Sequence, residues 1–439
     1  MHELRQCVQI LARRSLRDFS WHSPETRLAH GRYRAFDRAM NMEELADPAL
    51  LAHLLAKRGP AARGRVSVAF AFGSHVAAAN AGGASPAERW PIGCVAKLLT
   101  ATLVRRAAAR GILDLDGAVA PPLGDAGEAL RGVTLRHLLE HTHGLDDSLL
   151  APPRYAHGCI DRAELVRRVG ALERFARPGV AYSYGHAGAW LAAAILERAH
   201  DRPFAALVRE DLLRRLGFEG AASLTSLALC AASGVKLTLT AEQLARFGVH
   251  ALTGDGALAG APISPLPGWH PLERGVCLGW KYAGAGWFGH QSVWPRASIL
   301  LRVQPERRLA LVVIASEEPA ALVALTVFGA ALAELFEWQP LPGPDDASDA
   351  AGSADAPGTY TQAARAVTIA REASGLRAAT WERDERGAPC GAPTRASLVP
   401  VRGVLFGRPA REHLPYAQLV TSEGGARWLW NGRYLLRRA

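Results

Sequence analysis

A nearly continuous apolar run over Val66-Ser67-Val68-Ala69-Phe70-Ala71-Phe72 breaks at Gly73-Ser74 and resumes at His75-Val76-Ala77, which predicts a strand hairpin at a sheet edge. From Cys94 to about residue 260 the period lengthens to that of a helix, most clearly over Ala189–Ala199 and Phe204–Leu216. A second hairpin follows over Ser298–Ile314, then an apolar helix over Ala320–Phe336. This order fits one antiparallel sheet built from N- and C-terminal strands, with a helical lobe inserted between them. The fold class expected is therefore α/β of the α+β type, an antiparallel sheet flanked by helices.

Beyond the second hairpin, Gln339-Pro340-Leu341-Pro342-Gly343-Pro344-Asp345-Asp346 continues through small and acidic residues to Gly358, the composition of a linker. Short strands are then predicted at Gly358-Thr359-Tyr360, Ala366–Ala370, Leu398-Val399-Pro400 and Trp428-Leu429-Trp430. The chain divides into an Arg-rich helical extension (1–62), a main domain (63–340), a linker (341–357) and a C-terminal β domain (358–439). No role is assigned to the extension.

At 439 residues and 49% hydrophobic, the chain can bury a large core. It shows no apolar run of membrane-spanning length, and Arg13, Arg14 and Arg17 interrupt the N-terminus where a secretory signal would be apolar. A cytoplasmic protein without a membrane partner is expected. Its six cysteines are dispersed with no Cys-x-x-Cys pair, which points to reduced thiols rather than a zinc site or disulfide framework. The net charge of +10 comes from scattered arginines without interleaved aromatics, so no nucleic-acid partner is expected. That charge would still suit an acidic partner.

Lysine is scarce: only Lys57, Lys97, Lys236 and Lys281 occur among 51 Lys plus Arg. One of these lies three residues after a cysteine in Trp90-Pro91-Ile92-Gly93-Cys94-Val95-Ala96-Lys97, where a helix is predicted to begin. Residues at i and i+3 share a helix face, and a sulfur in the first turn feels the positive end of the helix dipole. Both effects favour the thiolate, and lysine, unlike arginine, can give up its proton. A small buried cysteine beside a surface cation would give the same four residues.

The wider text selects between these readings. Pro91–Thr100, Gly111-Ile112-Leu113-Asp114-Leu115-Asp116 and Val133–Leu145 together resemble the serine β-lactamase and penicillin-binding-protein-like family. The branch is that of class C β-lactamases, esterases, D-aminopeptidases, acyltransferases and penicillin-binding-protein-type thioesterases. Its first motif is Ser-x-x-Lys, so Cys94 stands where the nucleophilic serine belongs. Pro178–Gly188 resembles the Tyr-x-Asn segment, with Tyr184 for the tyrosine and His186 for the asparagine; Phe288-Gly289-His290-Gln291-Ser292 resembles the Lys-Thr-Gly or His-x-Gly motif, with Ser292 for its glycine. The likeness covers roughly residues 63–340, and the tail resembles the small lipocalin-like β-barrel appended to some members.

The resemblance implies roles residue by residue. Cys94 is the nucleophile and Lys97 its proton acceptor; Tyr184 is the second acid/base group. His186 is either a base near the thiolate or a structural histidine. His290 is expected to donate to a substrate carbonyl or carboxylate, and the backbone N–H groups of Cys94 and Val293 to form the oxyanion hole. Ser292 and Arg296, both at family glycine positions, face the substrate; Arg296 would clamp a carboxylate or else be solvated.

A thioester acyl-enzyme hands its acyl group readily to amines, so the chain reads as an acyltransferase or thioesterase/cyclase of specialised metabolism. Its substrate would be a small-molecule or peptidyl acyl group, presented by an acyl or peptidyl carrier protein, and no cofactor or metal is expected. The alternatives are a hydrolase of esters, amides or D-amino-acid peptides, and a noncatalytic binding protein.

Overall fold

The structure is a computed structural model. It describes residues 48–56, 64–123, 128–150, 162–218, 237–253, 258, 261–268, 270, 272–294, 297–317, 320, 323, 355–384, 386–401, 404–411, 414–421, 427–430 and 434–439. The extension before residue 48, most of the linker, Arg296 and most of the segment predicted as the Ala320–Phe336 helix lie outside these residues.

The predicted first hairpin forms from β1 (Val66–Phe72) and β2 (His75–Ala81), closed by Gly73 at φ +56°, a left-handed turn conformation glycine adopts without strain. β1 pairs along its other edge with β10 (Leu309–Ala315), from Val66↔Ala315 to Phe72↔Leu309, which joins the two ends of the main domain. β10 pairs with β9 (Ala297–Gln304) and β9 with β8 (Trp287–Trp294). The sheet ends with β7 (Trp280–Gly284), β6 (Gly275–Cys277) and β5 (Ser264–Pro265), in the order β2-β1-β10-β9-β8-β7-β6-β5.

Strand alternation sends successive side chains of this sheet into two cores. Val68, Phe70, Leu311 and Val313 pack under Leu51 and Leu55 of α1 (Pro48–Ala56). Ala69, Ala71, Val312, Ile314 and Leu301 pack instead against the inserted helices α2 (Lys97–Ala109), α3 (Leu135–Leu139), α4 (Ala187–His200) and α5 (Ala241–Ala251). Burial on both faces is why β1, β9 and β10 read as nearly continuous apolar runs. α5 starts at a capping box, with Thr240 Oγ1 accepting from Gln243 N and Gln243 Oε1 from Thr240 N. It lies so close to the sheet that a Cβ at Gly248 would sit 2.9 Å from a Val303 methyl. The periodic run Phe204–Leu216 is not one helix: a turn of α-helix (Phe204–Leu207) widens into π-helix (Val208–Leu213) and tightens to a 3-10 turn (Arg214–Leu216).

The described residues of 358–438 form eight further strands, β11 to β18, that close into a barrel when β11 (Gly358–Gln362) pairs with β18 (Leu435–Arg438). Its interior is filled by Tyr360, Val367, Ile369, Leu376, Leu398, Leu405, Leu429 and Leu436. Backbone N–H groups of the barrel donate to side chains of the main domain, beside an Arg437–Glu173 ion pair at 4.0 Å. Ala363 N donates to Asp146 Oδ2 at 2.6 Å, Ala364 N to Ser148 Oγ at 3.0 Å, and Leu435 N to Ser183 Oγ at 3.5 Å.

Candidate active site

The chain leaves β3 (Trp90–Pro91), which pairs with β4 (Thr238–Leu239), and turns through Gly93, at φ +49°, into the 3-10 turn Gly93–Ala96 that runs directly into α2. Cys94 is the half-buried second residue of that turn, and Lys97 opens the α-helix. Lys97 is almost fully buried, at 4% exposure. Its Nζ donates to Tyr184 Oη at 2.8 Å and lies 3.4 Å from His186 Nδ1. An ammonium there donates to both groups; a neutral amine can donate to one and accept from the other.

Tyr184 and His186 are held by the loop that precedes them in sequence. Asp147 Oδ2 accepts from the backbone N–H of His186 at 2.7 Å and of Ala187 at 2.8 Å, which caps the start of α4 with a carboxylate where helix N–H groups lack partners. A Cβ at Gly185 would fall 2.1 Å from that carboxylate, so only glycine allows the approach. His141, in the left-handed region at φ +57°, accepts from Gly185 N at 3.3 Å and sets its ring 4.6 Å from that of Tyr184. Burial and the charges of Lys281 and Lys97 hold His141 well below the usual histidine range, so it is a neutral acceptor.

The third wall is β8. Its ladder with β7 ends at Lys281↔Gly289, so residues 290–294 pair only with β9 and leave an edge beside the Gly93–Ala96 turn. Ser292 bridges the gap: the backbone N–H of Cys94 donates to Ser292 Oγ at 3.1 Å. The N–H expected to bind an oxyanion is thus occupied by a side chain that a glycine would not supply. Val293 follows on the same edge, 37% exposed.

His290 is 3% exposed, with its ring 5.9 Å from that of Tyr184. Burial, then the charges of Lys281 and Lys97, push its pKa down to about 3. Its Nδ1 lies 2.7 Å from the Gln291 carbonyl oxygen, which can only accept, so the single ring proton sits on Nδ1. Nε2, which has no hydrogen-bond partner among the described residues, is then an acceptor. The expected donation from His290 to a substrate carbonyl does not fit this tautomer; the ring is built to receive a donor.

Sequence reasoning passed over a second buried lysine. Lys281 Nζ is 3.1 Å from Glu273 Oε2, donates to Tyr182 Oη, and lies 5.2 Å from the centroid of the Tyr184 ring. Lysine scarcity pointed to Lys281 as much as to Lys97, since two of the four lysines meet at one tyrosine. Asp147, His141 and Tyr182 also escaped, although His141 and Tyr182 lie inside segments already singled out by their likeness to a family.

The barrel covers this site with aromatic surface. Trp428, Trp430 and Leu435 form one apolar cluster with Tyr182, Tyr184 and Val276, and Cys94 packs against it. The Tyr182 and Trp430 rings meet edge to face at 5.7 Å. Among the described residues no group of three or more His, Cys, Asp or Glu could hold a metal ion. Nor is any described helix long and apolar enough to cross a membrane.

Comparison with known proteins places this arrangement. Among solved structures, SurE with D-Leu matches with a TM-score of 0.63 and 22% identity over 89% of this chain and 98% of its own. The octameric penicillin-binding protein homologue from Pyrococcus abyssi matches with a TM-score of 0.53 and 16% identity over 90% of this chain and 100% of its own. A D-stereospecific amidohydrolase from Streptomyces sp. matches with a TM-score of 0.52 and 19% identity over 67% of this chain and 100% of its own. These likenesses establish a shared fold. No curated protein matches significantly. The family model described as Beta-lactamase matches residues 55–333, well over half of the sequence and including every element of the site on the main domain, and the chain therefore belongs to the Beta-lactamase family.

Proposed function

We propose that this protein is a cysteine-nucleophile acyltransferase or thioesterase/cyclase that forms an amide or ester through an acyl-Cys94 thioester. The observation that carries the reading is Lys97, buried one helical turn from Cys94 with its Nζ between Tyr184 Oη and His186 Nδ1. A lysine so placed has proton partners on both sides, as a shuttle requires.

In this scheme the Cys94 thiol gives its proton to the Lys97 amine. The sulfur then bonds to the acyl carbon, and the carbonyl oxygen, now an oxyanion, takes the Cys94 N–H as Ser292 Oγ withdraws. Collapse breaks the bond to the leaving group, which departs with a proton relayed from Lys97 through Tyr184. An amine or hydroxyl acceptor then attacks the thioester, gives its proton to the same relay, and regenerates the thiol. His290 Nε2, as an acceptor, would hold an N–H or O–H of the donor or acceptor.

The substrate would be a small-molecule or peptidyl acyl group, presented by a carrier protein in the cytoplasm. The D-Leu complex of SurE and the D-stereospecific amidohydrolase support including D-aminoacyl thioesters among the donors tested. The amidohydrolase equally supports the second reading, hydrolysis.

The test is intact-mass analysis of the full chain mixed with D- and L-aminoacyl thioesters and a panel of amines and alcohols. Acyl addition mapped to Cys94, followed by more transfer product than free acid, is expected. Free acid with every acceptor would establish the hydrolase, and absence of any adduct or product would leave a binding protein.

A further inference from the structure

Lys281 has no step in the scheme above, yet it is a charged group in the core of the site. It sits on β7 at 5% exposure, ion-paired to Glu273. From β5–β6 and the loop between them come Glu273 and His270; from β8, His290; from β9, Arg302; and from the segment before α4, Tyr182 and Tyr184. Glu273 is ionised, held down to about 2 against the effect of burial, chiefly by the charge of Lys281 and also by that of Arg302. His270, pushed down to about 4 by burial, is neutral, as are His290 and His141. One carboxylate therefore faces two cations, Lys281 and Arg302, and the buried cluster carries an excess positive charge.

That excess lies next to the acyl-transfer groups. Lys281 Nζ is 5.2 Å and Lys97 Nζ 4.5 Å from the centroid of the same Tyr184 ring, which puts the nitrogens no more than about 10 Å apart. Glu273 anchors Lys281 in its charged form, so the second lysine acts on its neighbours as a fixed cation.

We propose that Lys281 is a positioning residue whose fixed positive charge, beside Tyr184, lowers the proton affinity of the Cys94–Lys97 pair. The pair begins as thiol plus ammonium, and the charge favours release of one proton to solvent. The product is thiolate plus ammonium or thiol plus amine, two forms related by transfer of one proton between Sγ and Nζ. Either enters the acyl-transfer scheme, on which the functional meaning of this inference rests. A cation about 10 Å away in a medium of effective dielectric about 20 shifts such an equilibrium by about one pH unit.

The experiment follows iodoacetamide alkylation of Cys94 against pH in the full chain, read by peptide mass, with melting temperature as the check of folding. Lys281→Met is expected to raise the midpoint by about one unit, and Lys281→Arg, which keeps the charge, to restore it. Glu273→Gln removes the counter-charge and is expected to lower it. An unmoved midpoint in folded Lys281→Met, or a midpoint raised equally by Lys281→Arg, overturns the inference. If Lys281→Met does not fold, Glu273→Gln decides, and a midpoint that fails to fall overturns it. The measurement needs no acyl donor, so a wild-type protein that alkylates as expected but forms no acyl adduct refutes the functional reading alone.

Discussion

Replacing Ser292 with glycine tests whether the hydroxyl blocks or builds the oxyanion site. In the resting protein the Cys94 N–H donates to Ser292 Oγ at 3.1 Å, in a spot where the side chain is 2% exposed. A substrate carbonyl oxygen that takes this N–H must first break that bond. One neutral hydrogen bond contributes about 1 kcal/mol net, and its removal from the resting state is worth about 5-fold in rate. Ser292→Gly should therefore raise the acylation rate about 5-fold, read as thiol release from a thioester donor in stopped flow. Glycine in a strand costs about 0.5–1 kcal/mol, so melting should fall by a few degrees while the rate rises. Ser292→Ala should move the rate the same way without the backbone penalty. A loss of 10²–10³ would refute the reasoning, since that is the size of effect when an oxyanion donor is removed, and would mean the hydroxyl itself faces the oxyanion. An unchanged rate would also refute it, by showing that the hydroxyl leaves without cost.

Lys97→Arg keeps a cation near Tyr184 but removes the amine that can lose its proton; single-turnover transfer should drop about 100-fold or more, and wild-type turnover would reduce the lysine to a counter-ion. Cys94→Ser should still acylate slowly but shift product toward free acid or stall as an ester, whereas Cys94→Ala should give no adduct by intact mass. Thermal stability should fall as pH drops from about 6.5 toward 4: His141, His143, His270 and His290 all bind protons less tightly folded than unfolded, so the unfolded chain gains protons first across that window. The raised carboxyls of Asp146 and Glu140 work in the opposite sense and should flatten the fall near the bottom of the range, and a melting temperature flat from pH 7 to 4 would contradict these assignments.

What could be read from the sequence was local or periodic. The hairpin of β1 and β2, the helix over Ala187–His200 and the strands around Ala366–Ala370 and Trp428–Trp430 each carry their period within a few residues. Cys94 and Lys97 are three apart, so spacing alone could suggest that they act together, whereas Tyr184 and His186 were picked out by the likeness of their segment to a family motif. Other features depend on contacts that no local pattern encodes. Ser292 reaches Cys94 across 198 residues, and Lys281 reaches Tyr182 across 99. The tautomer of His290 follows from one carbonyl oxygen beside Nδ1, which the backbone path of β8 decides. The π-helical turn at Val208–Leu213 keeps the apolar spacing of an α-helix nearly unchanged, so periodicity could not reveal it.

The barrel bears on the choice between transfer and hydrolysis. Water competes with any acceptor for a thioester, and the local concentration of water at Cys94 depends on what surrounds the sulfur. Here the surroundings come from two units: Tyr182, Tyr184 and Val276 of the main domain, and Trp428, Trp430 and Leu435 of the barrel. Cys94 packs against this apolar cluster, and the polar groups of the site, Tyr184 Oη, His186 Nδ1 and Lys97 Nζ, are engaged with one another. A thioester formed under this roof would meet acceptors that displace little water and fit between aromatic rings before it meets bulk solvent. The barrel is also held by specific contacts, Ala363 N to Asp146 and Ala364 N to Ser148. Asp146 is adjacent in sequence to Asp147, whose carboxylate fixes His186, so the docking of the barrel and the placement of the Lys97 partners share one short loop. In the proposed acyl-transfer scheme, loosening that loop would both wet the sulfur and move the histidine, so acceptor choice would depend on the contact between the two domains.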